Sequence, residues 1–344
     1  METLAARFER QLLGSERAPH ALGVADRLLA VQAQDLRSAR LAVRARTSGL
    51  FAGDVDRALT QERSLVIGWL NRGTLQLVRT EDYRWLHGLT TPPLFTGNAR
   101  RLEQTGVGAR AAEKGVALVE QALAEEGPLT RDELCDRLAA AGVPTAGQAL
   151  VHLLMLACLR GVAIRGPFVD GRHAYVLARD WLPPGSAADR ERALVELARR
   201  YLAGHAPADD RDLAKWAGLP LRDARAGLRG VGSSLVERDD GLLELAGDDE
   251  HGAPRPILLD QWDPVLVGWR SRETLLADYP RRDDVAAHYR PFAYVGGRAV
   301  ATWGLKHGSV ELDPPFARVS RSAARELRLD VADVERFLSK TAVG

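Results

Sequence analysis

Cysteine and long apolar runs are scarce in this chain of 344 residues, and each shortage excludes a class of protein. The two cysteines, Cys135 and Cys158, are too few for a disulfide framework or a cysteine-rich metal site. No run approaches the roughly 18 apolar residues of a membrane span. Residues 1–13 also lack the apolar core of a signal peptide. We therefore expect a cytoplasmic protein without a membrane partner.

Several common catalytic signatures are missing as well. Residues Gly106-Val-Gly108 lack the closing glycine and the lysine of a Walker loop, and no G-x-S-x-G elbow is present. The eight histidines are scattered, with no pair at i,i+4 spacing and no cysteine partners. We therefore expect neither a metal site nor a cofactor.

Lysine is the third shortage, because only four of the 47 basic residues are lysine and the rest are arginine. The net charge of +1 gives no overall attraction to a polyanion. Arginine, however, forks onto phosphates and guanine edges. The bias either reflects codon usage or indicates a basic DNA-binding face that acidic surface elsewhere balances.

A weak internal repeat organises the first 250 residues. Three times, helical segments precede two apolar runs that are joined by hairpin-type turns, at Asn71-Arg-Gly73, Asp170-Gly171 and Asp239-Asp-Gly241. Two short helices, a third helix and a hairpin make a winged helix, in which one helix can enter the major groove of DNA. The alternative is three unrelated helix-hairpin pieces that serve only as core.

The predicted fold is therefore α+β and mostly helical, with three tandem winged-helix modules and a small β-rich C-terminal domain. The periodicity predicts one helix over Val24–Ala45. Near the C-terminus we expect a β-meander over Pro291–Val295, Arg298–Leu305 and Val310–Leu312, closed by a helix over Ala323–Lys340. The predicted domains are residues 1–110, 111–183, 184–250 and 251–344.

A polar motif interrupts the first block. It reads Gln32-Ala33-Gln34-Asp35 and is followed by four arginines, Arg37, Arg40, Arg44 and Arg46. On a regular helix, residues two apart are separated by about 200°. Both glutamines could therefore face one cleft only near an irregular turn or where the helix lies in a groove. The alternative is two ordinary solvated glutamines.

The segments LLAVQAQDLRSARLAVRAR and IGWLNRGTLQLVRTEDYRWL resemble the winged-helix DNA glycosylase family typified by AlkZ. The resemblance continues in order through GVAIRGPFVDGRHAYVLARDW, ARRYLAGHAPADDRDLAKWAGLP, LLDQWDPVLVGWRSR and YVGGRAVATWG, and so covers nearly the whole chain. The family signature is Gln, an apolar residue, then Gln or Asp. The Gln-x-Gln form, present here as Gln32-Ala33-Gln34, belongs to the branch linked with bulky N7-guanine adducts and interstrand crosslinks.

This resemblance implies a monomeric, monofunctional glycosylase that acts on double-stranded DNA. It implies Gln32 and Gln34 as catalytic residues, while Asp35 could be a base, a helix cap or a partner of an arginine. Many relatives carry His where this chain has Gln76. The residues expected to contact DNA are Arg37, Arg40, Arg44, Arg72, Thr74 and Gln76.

Two other functions fit the winged-helix pattern. One is a non-catalytic DNA-binding regulator, which would usually dimerise, and the other is a scaffold whose winged helices bind protein. Near the C-terminus, Asp263-Pro264 is expected to begin a helix or turn. Trp262 and Trp269 are expected in the core rather than as stacking platforms.

Overall fold

The computed structural model describes residues 2–185, 189–247, 252–281, 283–284 and 289–339. It is a mixed α/β structure, about 51% helical, with antiparallel sheets. In this described part, no helix is both long and apolar enough to span a membrane. The chain divides into two compact units, of which the first comprises Met1–Val55, Leu194–Trp216 and Pro220–Gly344, and the second Asp56–Ala193 and Ala217–Leu219.

The α-helices in the described ranges are α1 Glu2–Arg10, α2 Ala21–Leu28, α3 Leu36–Ala45, α4 Ala52–Thr60, α5 Thr80–Thr90, α6 Leu94–Gln104, α7 Ala109–Glu126, α8 Arg131–Ala140, α9 Ala149–Leu159, α10 Ala178–Trp181, α11 Arg190–His205, α12 Asp210–Ala217, α13 Leu221–Val231, α14 Pro264–Val267 and α15 Arg321–Leu338. The strands are β1 Val31–Gln32, β2 Leu65–Trp69, β3 Leu75–Arg79, β4 Leu129–Thr130, β5 Ala163–Val169, β6 Arg172–Leu177, β7 Leu235–Glu237, β8 Leu243–Leu245, β9 Ile257–Leu259, β10 Phe292–Val295, β11 Arg298–Lys306 and β12 Ser309–Leu312. Short 3-10 turns occupy Asn71–Gly73 and Gly232–Ser234.

The second unit is built on antiparallel strands in the order β3-β2-β5-β6-β4. Strand β2 is buried along its whole length, which explains its continuous apolar sequence. The two hairpins predicted in this unit are confirmed. Asn71–Gly73 joins β2 to β3, and the turn between β5 and β6 has positive φ at Asp170 (49°) and Gly171 (73°), as an Asp-Gly hairpin turn requires.

The third predicted hairpin is also present, and it lies in the first unit. Strands β7 and β8 pair antiparallel, with Leu235 opposite Leu245. Each of the three hairpins thus follows a group of helices along the chain, as the internal repeat indicates.

The C-terminal part of the first unit contains the expected meander, but as a four-stranded sheet in the order β12-β11-β10-β9. The sequence prediction missed β9, because a run of three apolar residues after a proline carries no strand periodicity. The closing helix α15 begins where Ser320 Oγ accepts a hydrogen bond from the Ala323 N–H at 3.2 Å. Lys340, the predicted end of this helix, lies outside the described residues.

The single helix predicted over Val24–Ala45 is wrong. Helix α2 ends at Leu28, and α3 begins only at Leu36. Leu29 adopts a left-handed φ of 64°, which ends the first helix. Asp35 then starts the second helix by capping it. The Gln32–Gln34 motif therefore lies between two helices.

Candidate active site

The segment that carries the two glutamines is extended and lies in the first unit. After α2 the chain turns tightly, with the Ala30 N–H donating to the Leu28 carbonyl at 2.7 Å. Val31 and Gln32 form β1, and Gln34 lies in the bend before α3. Only 6% of Gln32 is exposed, whereas Gln34 is exposed to solvent. This path removes the angular separation of about 200° that a helix would impose on the two residues.

The N-terminus of α3 follows the motif directly. The Asp35 carboxylate accepts a hydrogen bond from the Ser38 N–H at 2.9 Å, which satisfies one of the unpaired donors of the first helical turn. This bond fixes where the bend ends and the helix begins. Of the three roles that the sequence left open for Asp35, the structure shows helix capping.

Asp260 is a residue that the sequence prediction missed. It follows β9 and is buried, and its Oδ2 accepts a hydrogen bond from Ser38 Oγ at 3.0 Å. Its Oδ1 accepts one from the Gln261 N–H at 2.9 Å. Burial raises the pKa of Asp260, with the nearby negative charge of Asp35 adding to the rise. A lone acidic residue directly after the apolar run Ile257–Leu259 is the signal that could have identified it.

Two of the predicted DNA contacts lie on the first turns of α3. The Arg37 side chain is 47% exposed, and its Nε lies 3.7 Å from Asp260 Oδ2. Arg40, one turn further on, is half-buried. The structure thus places Arg37 and Arg40 close to the motif along the chain, and their contact with DNA remains a prediction.

Arg44 corrects the prediction. Only 2% of this residue is exposed, and its Nη1 donates to Asp330 Oδ1 at 2.8 Å. Its Nη2 donates to the Leu258 carbonyl at 2.7 Å. Because these internal partners hold the guanidinium away from solvent, Arg44 does not belong to the DNA-binding set.

Arg46 is buried completely and has a similar structural role. Its two terminal nitrogens contact the two carboxylate oxygens of Asp263 at 2.9 and 2.8 Å. Gln11 Oε1 accepts a further hydrogen bond from Arg46 at 2.8 Å. Asp263 also accepts from the Val265 N–H and so caps α14, which confirms the predicted helix start at Asp263-Pro264.

The remaining predicted contacts lie on the β2–β3 hairpin of the second unit. Arg72, at its tip, adopts a left-handed φ of 56°. Gly218 packs closely against the Arg72 backbone, because a Cβ at position 218 would lie only 2.7 Å from the Arg72 nitrogen. Gln76 is buried, and its Nε2 donates to Thr74 Oγ1 at 2.6 Å. Thr74 Oγ1 in turn donates to the Asn71 carbonyl at 2.9 Å. Arg72 and Thr74 are half-buried, on a hairpin whose own polar groups fix its shape.

Metal ligands are not clustered in the described residues. No group of three or more histidine, cysteine, aspartate or glutamate side chains there could hold a metal ion. The polar groups around the motif are instead amides, carboxylates and guanidinium groups.

Comparison with known proteins places the chain in a family. The sequence profile of the AlkZ-like DNA glycosylases matches residues 25–337. The chain therefore belongs to the AlkZ-like DNA glycosylase family, and it is an enzyme whose substrate is DNA. Both the family resemblance and the enzyme class predicted from the sequence are confirmed.

Among solved structures, the fold is similar to that of the Streptomyces sahachiroi DNA glycosylase AlkZ, with a TM-score of 0.76. The two chains are 24% identical, and the similarity covers 98% of this chain and 95% of the other. None of the curated proteins matches the chain.

Proposed function

We propose that this DNA glycosylase excises N7-alkylguanine from duplex DNA, including bulky natural-product adducts and interstrand crosslinks, and that Gln32 and Gln34 are its catalytic residues. The observation that carries the proposal is the extended turn on which both glutamines lie, between α2 and the capped start of α3. Two solvated helix glutamines, the alternative from the sequence, would not need this break in a helical pattern.

The chemistry of the substrate suits neutral catalytic groups. Alkylation at N7 makes guanine cationic, so the glycosidic bond is already weakened and the departing base needs little acid catalysis. The enzyme must then stabilise an oxocarbenium-like sugar and supply water, a task that glycoside hydrolases usually give to carboxylates. A glutamine carbonyl oxygen can orient the water or face the developing positive charge, and its NH₂ group can hold a neighbouring phosphate.

The surroundings of the motif support this assignment. Asp35 and the buried Asp260 both bind Ser38 in the first turn of α3, so the bend that carries Gln34 is anchored at its C-terminal side. Asp35 then acts as a positioning residue through its cap, and Asp260 as a second one through Ser38. Such support is needed because catalytic groups must be held to within a fraction of an ångström.

For binding, the proposal assigns DNA-backbone contacts to Arg37, Arg40 and Arg72, and a further contact to Thr74 on the same hairpin as Arg72. The buried Gln76, also expected from the sequence to contact DNA, instead supports the hairpin through its hydrogen bond to Thr74. The three helix-hairpin blocks would be winged-helix modules, in the four-domain division predicted above, and the enzyme would act as a monomer. A crosslinked base cannot swing fully out of the stack, because it is tethered to the partner strand. For that substrate the Asn71–Gly73 hairpin would instead open the minor groove as a wedge.

The test is release of N7-methylguanine, and unhooking of an N7-guanine crosslink, from labelled duplex DNA. Wild type is compared with Gln32→Ala and Gln34→Ala at equal DNA occupancy. We expect activity in wild type and a loss of about 100-fold or more in each variant, the size of effect seen when a transition-state contact is removed. Equal activity in all three proteins would contradict the catalytic assignment. Activity on neither of these substrates, and on no bulky N7-guanine adduct in a wider panel, would contradict the substrate assignment.

The alternative of a non-catalytic regulator is disfavoured by membership of a glycosylase family. A binding-only protein would give intact duplex affinity and no base release from any alkylated substrate, and the same assay detects that outcome.

A further inference from the structure

The two tryptophans of the segment between β9 and the end of α14 differ in their environment. Trp269 is only 3% exposed, and its Nε1 donates to the His205 carbonyl at 2.9 Å, so the predicted core position is confirmed. Trp262 is partly exposed and adopts a left-handed φ of 62°. A bulky residue in that conformation is a genuine outlier, and such strain persists only where the surroundings enforce it.

The Trp262 ring is one layer of a supported stack. It lies on Tyr289, with ring centroids 4.5 Å apart and an angle of 24° between the ring planes. The guanidinium carbon of Arg272 lies 4.7 Å from the centre of the Tyr289 ring, and Arg272 Nη2 donates to Tyr289 Oη at 2.8 Å. A cation and a hydrogen bond therefore fix the ring that carries Trp262.

The backbone on both sides of Trp262 is anchored. Two residues before it, Asp260 binds Ser38 in the first turn of α3, the helix that directly follows the glutamine motif. On the other side, Asp263 forms the buried pair with Arg46. These two anchors flank the left-handed residue Trp262. They also tie the stack to the segment that carries Gln34.

We propose that Trp262 is a stacking residue that receives a flat group displaced from the duplex, either a purine or the aromatic part of a bulky adduct. The argument has two parts: a partly exposed tryptophan, and beneath it a second ring that is itself held rigid. Stacking on an aromatic side chain accepts any base, because every base has a π-face. This inference rests on the proposed function for the location of the catalytic residues.

The experiment measures equilibrium binding of the full-length protein to three duplexes of equal length. One is fully paired, one contains a single unpaired adenine, and one contains an abasic-site analogue opposite a second abasic-site analogue, so that no unpaired base is present there. Because stacking contributes about 1–3 kcal/mol per base, Trp262→Ala should weaken binding to the unpaired-adenine duplex by roughly 10-fold. Binding to the other two duplexes should change by less than about twofold, since neither offers a displaced base.

Three further variants separate stacking from structure. Trp262→Phe keeps a flat ring and should retain most of the affinity, whereas Trp262→Leu is apolar but not flat and should behave as the alanine variant. Trp262→Gly removes the ring and also relieves the left-handed strain, so it keeps the test available if the alanine variant folds poorly. Tyr289→Leu removes the supporting ring and should give an intermediate loss.

An equal loss on all three duplexes, or no loss on the unpaired-adenine duplex, would overturn the proposal. A failure of Phe to rescue binding would also overturn it. Because the assay records binding and no base release, its outcome is independent of whether Gln32 and Gln34 are catalytic.

Discussion

The two ends of helix α3 carry the same residue type in opposite roles. At the N-terminal end, Arg37 is 47% exposed and follows the glutamine motif. At the C-terminal end, Arg44 and Arg46 are buried in contacts with Asp330 and Asp263. A row of arginines that looks uniform in the sequence thus combines candidate DNA contacts with internal structural charges.

This difference shows what decides the role of an arginine. A buried guanidinium needs a carboxylate and further hydrogen bonds, because the desolvation of a charge is costly without them. Arg46 has Asp263 and Gln11, whereas the partner of Arg37 within the described ranges is a carboxylate at 3.7 Å. The partners in the fold, rather than the spacing along the helix, separate the two groups.

The largest expected loss of stability is at the buried, C-terminal end of α3. Arg46→Ala leaves the Asp263 carboxylate buried without its partner, so the free energy of unfolding should fall by about 3–5 kcal/mol. Urea denaturation followed by circular dichroism measures this loss. The matched variant Arg37→Ala should change the unfolding free energy by no more than about 0.5 kcal/mol. Equal losses in the two variants would remove the distinction between the ends of the helix.

A buried histidine close to Arg46, at the C-terminal end of α3, should also make the stability of the protein depend on pH. Burial lowers the pKa of His205 from 6.5 to about 3, with the positive charges of Arg46 and Arg7 adding to the effect. Between these two values the unfolded chain binds a proton that the folded protein does not. Stability should therefore fall as pH drops below about 6.5, by up to about 1.4 kcal/mol per pH unit from this group. His205→Gln should flatten the urea midpoint profile in that range, and an unchanged profile would contradict the assignment.

At the N-terminal end the helix cap should matter for activity more than for stability. Asp35→Ala removes the cap of α3 and should lower the unfolding free energy by about 1 kcal/mol. Ser320→Ala removes the cap of α15 and serves as the matched control. Both variants should lose similar stability, but only Asp35→Ala should slow base release from saturating amounts of N7-methylguanine DNA. A similar slowing in both would show that the cap acts through stability alone.

The smallest effect on folding, and a specific one on binding, is expected for Arg37→Gln. If Arg37 contacts a phosphate, the slope of log Kd against log salt should fall by about 0.9, with no change in the melting temperature. Arg199→Gln, which removes an exposed arginine on α11, should leave the slope unchanged. A salt slope identical to that of wild type would exclude Arg37 from the DNA interface.

Much of the local structure could be predicted from the sequence. The hairpin at Asp170-Gly171 was predictable because only a few residue types accept two successive positive φ angles. The break between α2 and α3 was missed because apolar residues continue at helical spacing across it. The Asp35-to-Ser38 cap was the local signal that could have revealed it.

The roles of the arginines could not be predicted in the same way. Arg44 and Asp330 are 286 residues apart in the chain, and Arg46 and Asp263 are 217 apart. No local pattern indicates such pairs, since tertiary packing creates them. The same reason applies to Asp260, whose partner Ser38 is 222 residues away. The glutamine motif itself was found through family resemblance, because spacing alone favoured two solvated side chains.

The most direct measurement of the central claim is the single-turnover rate of N7-methylguanine release with enzyme in excess over DNA. Wild type is compared with Gln32→Ala, Gln34→Ala and the control Gln121→Ala, which changes an exposed glutamine on α7. The turn before α3 is the catalytic centre if the first two variants lose about 100-fold or more in rate, while Gln121→Ala and the melting temperatures stay at wild-type values. Wild-type rates in both motif variants would contradict the account.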